Sequence, residues 1–71
     1  MGHLPVISGR ECRRALERAG FVFDRQVGSH MVMERGAVSV PVPNHRELKK
    51  GTLANIIRRA GMTVEEFTSL L

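Results

Sequence analysis

Seventy-one residues, with eleven Lys and Arg against seven Asp and Glu for a formal charge of +4, make one small domain spanning 1–71 and exclude a second. No apolar run approaches the roughly 20 residues of a membrane helix. The first residues lack the charged-then-apolar pattern of a secretory signal, and the single cysteine excludes an internal disulfide. The expected setting is therefore cytoplasmic, with no membrane partner. The basic balance favours an anionic partner, whether nucleic acid, an acidic protein or a lipid surface, although a basic domain without such a partner carries the same charge. A chain this short buries only about 60% of its unfolded surface, so its core must be compact.

Met1 to Ile7 reads as a lead-in. Ser8-Gly9-Arg10-Glu11 is a capping box, a hydroxyl at the N-cap and a carboxylate three residues on. The helix that follows places Cys12, Ala15, Leu16 and Ala19 on one side, and Gly20 ends it. Cys12 on that apolar side is expected to be a small core residue. Arg10, Arg14 and Arg18 form a second stripe, either a solvated face or a phosphate contact.

Phe21 to Val27 reads as a first strand and His30 to Glu34 as a second. Gly28-Ser29 between them suits a two-residue type II′ hairpin, in which Val27 pairs with His30. The third strand runs from Ala37 to Val42. A three-residue turn at Glu34-Arg35-Gly36, with glycine left-handed, aligns the apolar faces, whereas a two-residue turn at Arg35-Gly36 opposes them. The three-residue turn puts Phe21, Phe23, Val27, Val32, Val38, Val40 and Val42 on one face, with His30 at its margin. Met31 and Met33 then point to the open face, as partial cover or as a docking surface of soft side chains. Pro41 and Pro43 cannot donate to a ladder, so this strand is an edge.

Asn44 to Leu48 is a connecting loop. A second helix from about Lys50 to Ala60 buries Leu53, Ile56, Ile57 and Ala60, and Gly61 closes it. Thr63-Val64-Glu65-Glu66 is another capping box, opening a short terminal helix with Val64, Phe67, Leu70 and Leu71 inward. The order is α-β-β-β-α with an added terminal turn. The expected class is a two-layer α+β domain, a three-stranded antiparallel sheet with two helices on one face.

Strand direction brings the polar groups together. The first strand ends, the second begins and the third ends at one edge of the sheet, where His30 lies. The second helix starts beyond that edge, after a loop carrying His45, Arg46, Lys49 and Lys50. The first helix should begin there too. Helix N-termini favour phosphate, and the lysines add full charge. A phosphodiester beside a titratable imidazole fits such a place, although His30 could equally cap the sheet margin. His45 reads as an exposed loop residue, and Lys49 and Lys50 as phosphate contacts or solvated charges. No Walker-like spacing exists, and no pair of His, Cys or carboxylates has metal-ligand spacing, so neither cofactor nor metal is expected.

Several stretches then resemble the HicA toxin family. They are Leu4-Pro5-Val6-Ile7-Ser8-Gly9, Ala19-Gly20-Phe21, Arg25-Gln26 followed by Gly28-Ser29-His30, Val40-Pro41-Val42-Pro43, Glu47-Leu48-Lys49-Lys50-Gly51-Thr52-Leu53 and Glu65-Glu66-Phe67. The resemblance runs along essentially the whole chain, with its motifs in order. It implies a fold like the double-stranded-RNA-binding domain and a toxin of a type II toxin–antitoxin pair, acting as a ribosome-independent mRNA endoribonuclease. It implies His30 as the catalytic residue. Gly28, Ser29, Arg25, Arg46, Lys49 and Lys50 are the candidates for holding RNA. The implied partners are mRNA and a HicB-like antitoxin, with DNA reached only through the antitoxin. Many members carry basic or aromatic residues where this chain has Met31, Val32 and Met33. Two other readings stand beside this one: a non-catalytic RNA-binding module of the same shape, and a protein-binding domain for an acidic partner.

Overall fold

The computed structural model describes residues 3–71, so the first two positions of the lead-in and of the 1–71 domain lie outside the described residues. The elements are α1 (Gly9–Arg18), β1 (Val22–Val27), β2 (His30–Arg35), β3 (Val38–Pro43), α2 (Lys50–Arg59) and α3 (Val64–Thr68). The strands form one antiparallel meander in the order β1-β2-β3, with β3 at an edge. Both main helices pack on the same face, giving the expected two-layer α+β domain. No helix among the described residues is long and apolar enough to cross a membrane.

Local chemistry explains where the helices start and stop. Ser8 Oγ accepts from the Glu11 amide at 3.1 Å, and the Ser8 amide donates to Glu11 Oε1 at 2.9 Å. Thr63 and Glu66 repeat the exchange at 3.1 and 2.8 Å. Gly20, at φ +95°, lets the Phe21 amide reach back to the Leu16 carbonyl at 2.9 Å. Gly61, at φ +76°, does the same for Met62 and Ile57 at 3.2 Å. Both ends are Schellman closures, which only a residue tolerant of positive φ permits at low cost.

The core gathers Cys12, Ala15 and Leu16 from α1, Leu53, Ile56 and Ile57 from α2, and Phe67 from α3, over the sheet. Leu48, read from sequence as part of a plain loop, is buried with them. Leu71, expected to point inward, is instead 44% exposed beyond the last turn of α3. Burial pushes the Cys12 thiol up to about 12. At pH 8 the native thiol should therefore alkylate at least about 10²-fold more slowly than in urea. Its folded value lies above the ordinary thiol value of 9.0, so its contribution to stability is complete below that value. That contribution is lost as pH rises through about 12.

The sheet register differs from the sequence reading, and the difference moves the histidine. The second turn is the two-residue link Gly36-Ala37, with Arg35 opposite Val38. Met31 therefore stands opposite Val42, and Met33 opposite Val40. These four side chains face the helices, so the methionines are core at 3% and 0% exposure and do not form an open docking face. Unbranched methionine suits that irregular space. A bulge at Asp24 then shifts β1: Phe23 pairs with Met33, but Arg25 pairs with Val32. Val27 and Val32 consequently sit on the open face with His30, Arg25, Glu34 and Pro41. Val27 is 55% exposed, and His30 is exposed rather than tucked at the margin of the packed face.

Arg35, read as a turn residue, has a structural task instead. Its Nη1 donates to the Ala19 carbonyl at 2.7 Å and its Nη2 to the Ala60 carbonyl at 3.3 Å, with the guanidinium 4.5 Å from the Phe21 ring centroid. One cation thus meets the C-terminal ends of α1 and α2, where helix dipoles favour positive charge. Both helices end at this side of the sheet, so both begin at the other. Arg35→Ala should lower stability by about 1–2 kcal/mol, read from urea unfolding.

Candidate functional site

The opposite end of the sheet holds the sequence motif. Gly28 has φ +59°, whereas Ser29 does not have positive φ, the pattern of a type II′ turn. A side chain on Gly28 would meet nothing within 4 Å, so the backbone angle, and not crowding, demands glycine. Two hydrogen bonds hold the turn's carbonyls. Gln26 Nε2 donates to Gly28 O at 3.1 Å, and the Asn44 amide donates to Ser29 O at 2.7 Å. His30 follows as the first residue of the central strand, between Val27 and Pro43. Its backbone is anchored on both sides while its imidazole stays open to solvent.

The chain leaving β3 brings α1 and α2 to the same place. The Gly9 amide donates to the His45 carbonyl at 2.8 Å, and the Leu48 amide to the Ile7 carbonyl at 2.8 Å. The two helix starts differ in what they can still offer. At α1 the capping box and the Gly9 hydrogen bond occupy the Ser8, Gly9 and Glu11 amides. At α2 the N-cap is Lys49, at φ −66° and ψ 147°, with no side-chain cap. Its first-turn N–H groups therefore carry partial positive charge without a capping acceptor. Of the two helix N-termini expected at this end, that of α2 has no side-chain cap and stands next to Lys49 and Lys50.

The arginines sort into engaged and unengaged groups. Arg13 pairs with Glu17 at 3.3 Å and lies 4.2 Å from the Phe23 ring centroid. Arg18 donates to the Leu70 carbonyl at 2.5 Å, Arg59 to the Ser39 carbonyl at 2.9 Å, and Arg58 to Asn55 Oδ1 at 2.6 Å. Arg35 is taken by the helix ends. Arg25, a candidate for RNA contact, is paired with Asp24 and lies 3.9 Å from Glu34. It sits on the open face near His30, with its charge already answered by two carboxylates. Among the described residues this leaves Arg10, Arg14, Arg46, Lys49 and Lys50 without a protein partner. All belong to α1, the loop or the start of α2, toward the His30 end.

The structure thus places Gly28, Ser29 and His30 at the same end of the sheet as the loop and helix start that carry Arg46, Lys49 and Lys50, as strand direction required, and leaves Arg25 on the open face with Asp24 and Glu34 beside it. Gln26 stands in the sequence motif without an assigned role, and Asn44 reads only as the start of the loop; both pin the turn. Gln26 does so through its side chain and Asn44 through its backbone amide, which any residue but proline could supply. Arrangements of this kind can bind an anion through cations and N–H groups, and can move a proton at an exposed imidazole.

Among known proteins, no curated sequence matches the chain. A family model does match residues 9–62, from the first residue of α1 to just past the closure of α2, and it is described as the HicA toxin of bacterial toxin–antitoxin systems.

Proposed function

The chain belongs to the HicA toxin family, and so is a toxin with an antitoxin as partner; from that premise we propose that it acts as an mRNA endoribonuclease in which His30 transfers the proton. The observation that carries the proposal is the placement of His30. Its imidazole is solvent-open on a backbone pinned by the Gly28-Ser29 turn, at the end of the sheet where the partnerless cations collect.

In the forward step the ribose 2′-oxygen attacks the adjacent phosphorus as it loses its proton. The bond from phosphorus to the 5′-oxygen breaks, leaving a 2′,3′-cyclic phosphate and a protonated 5′-hydroxyl. His30 serves either as the base that takes the 2′-proton or as the acid that protonates the leaving 5′-oxygen. One imidazole cannot do both in the same step, and His45 or water supplies the other role. Lys49, Lys50 and the uncapped amides of α2 lower the cost of charge developing on the phosphate. Arg46, with the backbone of Gly28 and Ser29, holds the flanking chain.

The antitoxin partner is of the HicB kind and covers the His30 end, reaching DNA on the pair's behalf. A single 2′-deoxy nucleotide at the cleaved position should abolish cleavage there, as read on a sequencing gel. An unchanged rate would exclude attack by the 2′-oxygen. RNA that binds wild type and His30→Ala alike, with no cleavage and with toxicity intact in both, would favour the non-catalytic RNA-binding module.

A further inference from the structure

A cleft of about 310 Å³ opens between α1 and the paired strands, on the helix-bearing side of the sheet. Helix α1 contributes Arg10, Arg13 and Arg14, strand β1 contributes Gln26, and the loop after β3 contributes Asn44. The volume is at the lower end of the range for sites that take a small organic molecule.

The lining is not uniformly basic. Arg13 is fixed by Glu17 and by the Phe23 ring, so it shapes the cleft and does not serve as a free cation. Glu17 itself lines one part. Arg10 and Arg14, one helical turn apart and on the same side, carry the available charge. Gln26 and Asn44 can each donate and accept. A run of carboxylates, as in an acidic peptide, would exceed the two free cations and press against Glu17. A nucleotide would find cations for its phosphate and groups of both polarities for the edge of its base.

The Gln26 side chain and the Asn44 backbone amide also bind the carbonyls of Gly28 and Ser29. Met31, which also lines the cleft, follows His30 directly in the chain. Alternation in the strand sends their side chains to opposite faces. Cleft and imidazole therefore lie on the two sides of the sheet, joined around its end by the Gly28-Ser29 turn. A stiff duplex cannot follow such a path, whereas a single strand can.

We propose that this cleft holds a nucleotide flanking the cleaved linkage of a single-stranded RNA, with Arg10 and Arg14 on its phosphate and Gln26 and Asn44 facing its base. The inference rests on the RNA-cleavage reading above and extends it to a second contact region and to a strandedness.

The test uses His30→Ala protein, which keeps the RNA whole, and a short fluorescent single-stranded RNA titrated at several salt concentrations. Adding Arg10→Gln and Arg14→Gln should weaken binding about tenfold or more. It should also reduce the salt slope by about 0.7, the share of the one phosphate that the two arginines hold on a single strand. Arg58→Gln with Arg59→Gln makes the same charge change at the far end and should alter affinity by no more than about twofold. Amide shifts of the His30→Ala protein itself, which need no arginine variant, should move at Arg10, Arg14, Gln26 and Met31. Equal losses from the two arginine pairs would overturn the proposal, as would shifts confined to the open face. Equally strong cleft shifts with a duplex would overturn the single-strand assignment. Cleft shifts produced by polyglutamate and not by RNA would assign the cleft to an acidic protein segment instead. None of these binding results depends on cleavage, so wild-type protein that leaves RNA intact would sink the nuclease reading alone.

Discussion

Replacing His30 with alanine should lower the rate of RNA cleavage by purified protein by about 10²–10⁴-fold, the usual share of a positioned acid or base. The thermal midpoint should barely move. His30 is exposed, and its place in the ladder is made by backbone atoms flanking a turn that Gly28, Gln26 and Asn44 maintain. Substitutions at such positions usually stay within about 0.5 kcal/mol. Loss of cleavage with an unchanged melt separates a chemical role from a structural one. A collapse of the melt would instead mean that the imidazole caps the sheet. Gln should behave like Ala here, because an amide can hydrogen-bond but neither takes up nor gives up a proton as an acid or base near neutral pH.

The second large effect falls on a glycine that the sequence reading passed over. Gly9 is buried at the start of α1, and a Cβ there would lie 2.0 Å from the Pro43 carbonyl oxygen and 3.1 Å from Asn44 Cα. Backbone atoms cannot swing aside as a side-chain tip can. Gly9→Ala must push α1 away from the end of β3 and strain the hydrogen bond from the Gly9 amide to the His45 carbonyl. Overpacking of this kind costs about 1–3 kcal/mol, occasionally more. A domain of this size has a total stability on the order of 4–11 kcal/mol. The midpoint should fall by about 10 °C or more, since about 1 kcal/mol moves a domain this small by 4–8 °C. Gly51, exposed inside α2 with nothing within 4 Å, is the contrasting position. There alanine should raise stability by about 0.5–1 kcal/mol. Calorimetry on the two variants checks both signs. An unaffected Gly9→Ala protein would mean that the helix start is not held where the structure has it.

Both results bear on what one chain discloses by itself. The helices were legible because their signals are local. Ser8 with Glu11, Thr63 with Glu66, and the glycines at 20 and 61 act within one turn of where they stand. The pairing of Val27 with His30 was legible for the same reason, through Gly28-Ser29. Strand direction sufficed to bring His30, Arg46, Lys49 and Lys50 to one end, because it needs only the order of elements.

The faces of the sheet were not legible. Met31-Val32-Met33 is apolar at every position, so no alternation marks its inner side, and a two-residue link at Gly36-Ala37 was as compatible with the residues as the three-residue turn. The bulge at Asp24 leaves no mark in composition, yet it carries Val27 to the outer face. One residue of register is enough to exchange a core methionine for an exposed histidine. Arginine roles were hidden more deeply. Arg18, Arg35 and Arg59 bind backbone carbonyls brought near only by the complete fold. Once these are removed from the count, the remaining cations mark the His30 end more sharply than the raw charge of +4 could.

The proposed ribonuclease activity of this toxin stands or falls with His30. Wild-type and His30→Ala protein, expressed at equal level in growing cells and followed by mapping of RNA ends, test it most directly. Wild type should arrest growth and leave messages cut, while His30→Ala should leave growth and messages intact. Intact messages in both strains, or the same cuts in both, would contradict it.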